Sequence, residues 1–370
     1  MAKTGAVTRK KNVPQGAFTD RQLSLFQAFL TNELENDSLS NAIDLWDSVP
    51  RYSISRPKQN EMRSPEGVLP TMALEFSYRG KDYRVKIRPA RLDLKGEDNR
   101  PLKDEKGNPK SIEYYPSARE EVVEHALRRI AAETNAGFYD KTDKSSGVAF
   151  TLHRLRQELA DSGHSMTYEN IVESLEILHY SSIAITDTDL DATTEGDFSQ
   201  SYFPTFARVN KKTRAADPEA KWFVQFHSFV AYSIDKLTYR QFNYRRLMKC
   251  KTQLARWLLS QLVIKFTQAS LATTFEMRYS TIRRDSNLLT GYKRTRDAIA
   301  ALDEAWDHLR ELGALYFANK AEETGARGKV MDATYTLTPS REFIAEQKAA
   351  NKRAAEARKA AERMRLGQAV

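Results

Sequence analysis

Apolar positions along this chain change their period several times, and each change marks an element. From residue 1 to about 65 the pattern is polar and interrupted. Only RQLSLFQAFLTNEL has helical spacing, behind a Thr19-x-x-Gln22 capping box, so this stretch reads as a mostly flexible tail with one short helix. Alternation in MALEFSYRGKDYRVKIRPARL predicts strands at 72–78 and 83–89 joined at Arg79-Gly80-Lys81-Asp82, and LKGEDNRPLKDEKGNPK reads as a loop. Ser117 can cap a helix over 118–134 with Val122, Val123, Ala126, Leu127, Ile130 and Ala131 on one side. The strand GVAFTL, helices at 152–160 and 167–179, the strand SSIAITD, an acidic loop and a strand at 202–209 follow.

The second half repeats that order. Residues 249–269 predict a helix with Leu254, Trp257, Leu258, Leu262 and Phe266 at core spacing. TTFEMRY predicts a strand, Ser280 to Asn287 a short helix, and Tyr292 to Leu312 a long helix turned inward at Ile299, Leu302, Trp306 and Leu309. ALYFA and ATYTLT then pair across NKAEETGARGKVMD. Helix, strand, helix, helix and two-stranded wing is the layout of a winged helix. The expected fold class is therefore α+β: tandem winged-helix domains at 66–220 and 221–340, between a tail (1–65) and a basic C-terminal helix (341–370) without a continuous apolar stripe.

Composition narrows the function. With 370 residues, 41% hydrophobic and 29% charged, the chain suits two or three ordinary domains. A single cysteine, Cys250, excludes a disulfide framework and makes a reducing bacterial cytoplasm the natural compartment. The basic start has no apolar stretch behind it, and Arg256, Ser260, Gln261 and Lys265 interrupt the greasiest segment, so neither secretion nor a membrane partner is expected. Net charge is +9, and its placement says more than its size. Residues 157–207 hold ten acids and no Lys or Arg, whereas 239–297 hold thirteen bases against three acids. The later block suits a polyanion and the earlier one does not.

Base reading in a helix-turn-helix falls to the first residues of its second helix. Thr290-Gly291-Tyr292-Lys293-Arg294-Thr295-Arg296 fits, because its cations precede the core stripe that begins at Ile299. Arginine can fork onto guanine, threonine can touch a thymine methyl, and Tyr292 suits a phosphate or sugar. Bases at a helix N-terminus oppose the macrodipole, so stability does not account for them. Arg283 and Arg284 would straddle the backbone. In Tyr239-Arg240-Gln241-Phe242-Asn243-Tyr244-Arg245-Arg246-Leu247, rings alternate with guanidiniums; Phe242 and Leu247 are expected inside, with Arg245 and Arg246 available to phosphates. The corresponding helix of the first unit, from Tyr168 to Glu176, carries acids instead, which suits self-association or a host-protein contact and equally an ordinary solvated face. No phosphate-binding G-x-x-x-x-G-K-[ST] loop, paired cysteine or clustered histidine is present, so neither an enzyme, a metal nor a cofactor is expected.

Tyr244 to Leu247 with the helix behind it, Phe275 to Arg284, Tyr292 to Leu312 and the wing resemble the second winged helix of plasmid replication initiators of the TrfA type. Gln22-Leu23-Ser24-Leu25-Phe26 resembles the pentapeptide by which such initiators dock on the bacterial sliding clamp: Gln22 can hydrogen-bond at a pocket rim while Leu25 and Phe26 fill it. Alone, the same residues also describe an amphipathic turn. The resemblance implies double-stranded origin DNA with directly repeated sites (iterons), help in melting AT-rich DNA, plasmid copy control, and contacts with a host initiator and the replicative helicase. Two rival readings stand beside it. A winged-helix repressor would need no clamp peptide, and a nicking initiator or relaxase should show a metal-binding histidine pair.

Overall fold

A computed structural model describes residues 39–96, 100–133, 136–140, 142–187, 198–209 and 220–367. The pentapeptide Gln22–Phe26 and the acidic loop 188–197 lie outside the described residues. Helices and sheets alternate along the chain. No helix among the described residues is long and apolar enough to cross a membrane.

The expectation of a tail as far as residue 65 is corrected from residue 39 onward. Strand β1 (Leu39–Ile43) pairs antiparallel with a strand two hundred residues later, and a 3-10 turn at Trp46–Ser48 leads to α1 (Arg56–Met62). Trp46 is 1% exposed and sits on a buried ionic network that no apolar periodicity reveals. Its Nε1 donates to Glu124 Oε1 at 2.7 Å, Arg51 bridges Asp47 (2.8 Å) and Glu124 (3.0 Å), and Arg128 holds Asp47 at 2.7 Å. Burial alone would raise both carboxyls, but Arg51 and Arg128 hold Glu124 down at about 2 and Asp47 lower still.

Strands β2 (Met72–Tyr78) and β3 (Lys81–Arg88) form a hairpin whose two turn residues, Arg79 and Gly80, both have positive φ, the geometry a tight hairpin with right-handed twist requires. The segment LKGEDNRPLKDEKGNPK, expected as a loop, is the far part of a paired arm: β4 (Ala90–Asp93) and β5 (Ser111–Tyr114) flank it in register, and bridges Lys95–Pro101 and Lys103–Pro109 continue the pairing into it. Helix α2 (Ala118–Ala131) opens with a capping box between Ser117 and Glu120. It is buried on every side, charged residues included, and not on one stripe.

Strand β6 (Gly137–Asp140) is an addition to the expected order; after it, strand β7 (Ser145–Phe150), helices α3 (Leu152–Asp161) and α4 (Tyr168–Tyr180), and strand β8 (Ser182–Asp187) match that order. The return strand is displaced from 202–209. β9 (Phe198–Ser201) pairs with β8, whereas β10 (Phe206–Ala207) turns to β11 (Trp222–Gln225). One sheet is therefore β2-β3-β8-β9 and another β10-β11-β7-β6. The boundary drawn at 220/221 cuts through the second sheet, because β11 pairs with β7.

After α5 (Ser228–Lys236), β12 (Tyr239–Asn243) pairs with β1. A separate short helix, α6 (Tyr244–Met248), comes next, and the helix expected over 249–269 is shortened to α7 (Gln253–Lys265), which Thr252 caps. Then come β13 (Phe275–Arg278), α8 (Tyr279–Ser286), α9 (Thr295–Glu311), β14 (Leu315–Thr324) and β15 (Val330–Pro339), with strand order β13-β15-β14. The two wing strands are longer than the alternation suggests and leave only 325–329 as their turn. Helix α10 (Arg341–Gly367) is not a wholly solvated tail. Phe343 and Ile344 are in the core, and Gln347 and Asn351 bind Arg240 at 2.7 and 2.8 Å.

The two halves share one buried cluster. Arg256 of α7, 4% exposed, donates to Glu121 of α2 at 3.0 and 3.1 Å, and Gln253 donates to the carbonyl of Tyr52 at 2.8 Å.

Candidate nucleic-acid interface

The surface around the start of α9 is built by three local devices. First, α8 is held against β15 by Asp332, which accepts from the backbone N and the hydroxyl of Ser280 at 3.0 and 2.7 Å. Second, α8 ends at Asn287 in the left-handed region (φ 56°), a conformation Asn tolerates, and the side chain of Asn287 donates to Ser53 Oγ at 3.0 Å. Third, Leu289 is buried under the turn, and Thr290 donates to the carbonyl of Asn287 at 2.9 Å. The turn is thus fixed from below while its outer residues face solvent.

Tyr292, Lys293, Arg294 and Arg296 are exposed, and Thr295 is half-buried. The helix begins at Thr295 and not at Tyr292. Tyr292 and Lys293 therefore lie in the approach, Arg294 is the cap residue without a capping side-chain bond, and Arg296 is in the first turn. Burial starts at Ala298 and Ile299 and continues through Leu302, Trp306 and Leu309. The cationic and anchoring segments are separate, as a helix end presented to a ligand requires.

Arg283 and Arg284 project from α8 and are exposed. Both line one groove with Tyr279, Asn287, Thr290, Thr295 and the wing residue Met331. Arg284 Nε also donates to Asp285 Oδ1 at 2.7 Å, which raises its pKa and restricts its reach; Arg283 is the longer-reaching cation of the pair. The opposite wall of the groove is formed by β2 and β3, through Ala73, Leu74, Glu75 and Arg84. The sequence did not single out these residues, although the basic alternation of β3 was visible in it.

Arg245 and Arg246 lie elsewhere. Arg246 donates to the carbonyl of Leu312 at 2.9 Å and pairs with Glu346 of α10 at 2.5 Å, which places it beyond the C-terminal end of α9. A helix of 17 residues is about 25 Å long, so this pair is remote from Arg294. Arg246, 10% exposed, fastens α10 to the end of α9, and Arg245 is exposed beside it. Phe242 and Leu247 are buried.

Helix α4 differs from α9. Strand β4 packs against it, Arg119 pairs with Glu173 at 3.0 Å, and Arg208 pairs with Glu176. The acids that suggested a bare protein-binding face are largely satisfied within the chain. Among the described residues no group of three His, Cys, Asp or Glu is placed to hold a metal ion.

No protein-family model and no curated protein matches the sequence. Among solved structures, the fold is similar to domains 2 and 3 of RctB in two crystal structures. One, of selenomethionine derivatives, has a TM-score of 0.44 and 10% identity, covering 75% of this chain and 95% of that chain. The other spans RctB residues 155–483, with a TM-score of 0.43 and 11% identity over 78% of this chain and 98% of that chain. It is also similar to the Pi initiator protein, crystallised in complex with iteron DNA, with a TM-score of 0.41 and 11% identity over 60% of this chain and 91% of that chain.

Proposed function

We propose that this chain is a non-enzymatic replication initiator that binds repeated duplex sites at an origin. In this reading 253–339 is a winged helix whose α9 enters the major groove. The observation that carries it is the arrangement at one helix end: Tyr292, Lys293, Arg294 and Arg296 stand in solvent ahead of a firmly buried anchor, with Arg283 and Arg284 beside them. Arg294 and Arg296 read base edges, and Arg283 and Arg284 hold phosphates. Arg246, committed to α10, is left out of this surface, and Arg245 is at most a peripheral phosphate contact.

Residues 118–201 form a second winged helix in this reading, supporting self-association or a host contact and not base reading. Origin melting, recruitment of the clamp through Gln22–Phe26, and contacts with a host initiator and helicase complete the proposal; they rest on the family resemblance of the sequence. Sequencing the duplex fragments retained by the purified chain tests the core of it, and a repeated motif is the expected result. The repressor reading is separated by the clamp. Leu25→Ala with Phe26→Ala should cost at least about 2 kcal/mol of clamp binding in a pull-down titration and leave duplex binding unchanged. Equal retention of clamp by both proteins would leave the repressor as the better reading.

A further inference from the structure

The sheet β2-β3-β8-β9 has two unlike faces. Val85 and Ile87 of β3 point into the core with Phe76, Ile183 and Ile185. The alternate residues of β3, Arg84, Lys86 and Arg88, all point outward and are exposed. Their cross-strand neighbours on β8 are small: Thr186, Ala184 and Ser182. On β2 the neighbours are Glu75, whose Oε1 is 3.3 Å from Arg84, and Ala73. Three cations in consecutive outward positions of one strand repel each other, a cost that the solvent-exposed pair of Arg84 with Glu75 offsets only in small part.

The position of this face is fixed relative to α9. The backbone N of Ser77 donates to the buried Asp285 Oδ1 at 3.1 Å, which docks the β2–β3 hairpin on α8. Arg84 and Glu75 then line the groove that Arg283, Arg284 and Thr295 line from the other side. The groove has cations on both walls, and Lys86 and Arg88 extend the row away from it.

We propose that this sheet face is a second duplex-DNA contact surface, which holds the sugar-phosphate backbone flanking the bases read by α9; it rests on the reading of α9 given above. The row from Arg84 to Arg88 is about 13 Å long, at roughly 3.3 Å per residue. Phosphates of one DNA strand wind around the axis and lie farther apart along the strand than the axial rise of about 3.4 Å, so the three cations, spaced two residues apart, can meet about three successive phosphates. Small and hydroxyl neighbours let a backbone come close and offer further donors. The face has no aromatic ring among these positions, whereas a single strand would need stacking platforms. The occupant is therefore duplex phosphate and not splayed bases.

The test uses the full chain and a random-sequence duplex of about three helical turns, with anisotropy titrations at several salt concentrations. Arg84→Ala, Lys86→Ala and Arg88→Ala combined should lower the log–log salt slope by about two to three units, at about 0.9 per lost contact. The charge-preserving set Arg84→Lys, Lys86→Arg and Arg88→Lys should keep the slope. Glu75→Gln, which removes the opposing charge, should bind several-fold tighter, a gain that misfolding cannot imitate. If the triple alanine variant keeps the wild-type slope while Arg283→Ala lowers it, the sheet surface is refuted and the α9 reading stands. A wild-type chain that fails to bind duplex even at low salt refutes both.

Discussion

Helices α4 and α9 occupy the same place in the element order of their respective halves, yet their surroundings are opposite. Around α9 the approach and the helix start carry Lys293, Arg294 and Arg296, face solvent and border a groove with cations on both sides. Along α4 the exposed side carries acids, but β4 lies against it and Arg119 and Arg208 pair with Glu173 and Glu176. One helix end is presented with its bases in solvent, and the other helix is covered in part by β4 and by its own ion pairs, with Glu169 and Asn170 left exposed at its start. A similar place in the element order therefore does not imply a similar role, and the sheets differ too: β13 pairs with the wing strand β15, whereas β7 is in a different sheet from β8 and β9.

The comparison assumes that both halves stand on one core, and acid should disturb that core most. Burial lowers the pKa of His125 and of His227 to about 3, from an ordinary value of 6.5. A folded pKa below the unfolded one means stability that is full above pH 6.5 and is lost as pH falls towards 3. Each histidine can contribute a slope of up to about 1.4 kcal/mol per pH unit in that window. Asp47 and Glu124, also held low, add to the loss below the ordinary carboxylate range, while Glu121, raised by burial, works in the opposite direction. His164, also lowered by burial, adds to the same slope; urea midpoints should fall steeply as pH drops, and His227→Gln should remove part of that slope. A flat profile would mean that the two histidines are not buried in this network.

Next in size is the link between halves. Arg256→Ala leaves Glu121 buried without its partner and should cost about 3–5 kcal/mol in denaturant unfolding. A single cooperative transition should persist at lower denaturant if α2 and α7 share one core. Separation into two transitions would show that the halves are independent, and the contrast between α4 and α9 would then be one between two separate domains.

How much of this was legible in the sequence follows from the type of residue. Strands β2, β3, β7 and β8 and helices α3, α4, α7 and α9 stand near their expected ranges because each has a clear apolar period on one face. Residues 39–62 were missed because Trp46, Asp47, Arg51 and Tyr52 are buried through ion pairs and hydrogen bonds, which leave no period in the chain. For the same reason a charge count does not say which bases reach solvent: Arg246 and Arg256 lie in the basic block but are paired with Glu346 and Glu121 inside the protein. The acidic block met its counter-charges from Arg119 and Arg208, one before and one just after the counted window. Charge totals pointed to one helix end, and packing shows which of its cations stand in solvent.

On the presented helix, Arg294→Ala and Arg296→Ala should each cost roughly 1–3 kcal/mol on the retained DNA motif and relax preference at particular bases, with little loss on scrambled duplex. Arg283→Ala should weaken all sequences alike and lower the salt slope by about one unit. Identical specificity ratios for Arg294→Ala, Arg283→Ala and wild type would remove α9 as the reading helix.

The smallest effects are expected on the partly covered helix. The pair between Arg119 and Glu173 is about a quarter to a third exposed on its two side chains, so solvent screens much of its attraction. Glu173→Ala should then cost no more than about 1 kcal/mol of stability. Glu176→Ala, which frees the half-exposed Arg208, belongs to the same range. Because both acids are already paired within the chain and the helix lies outside the groove at α9, neither substitution should change duplex affinity or its salt slope. Binding isotherms beside denaturant melts separate the two quantities. If loss of either acid strengthened duplex binding, α4 would be near the DNA after all, and the difference between the two helices would be one of charge and not of cover.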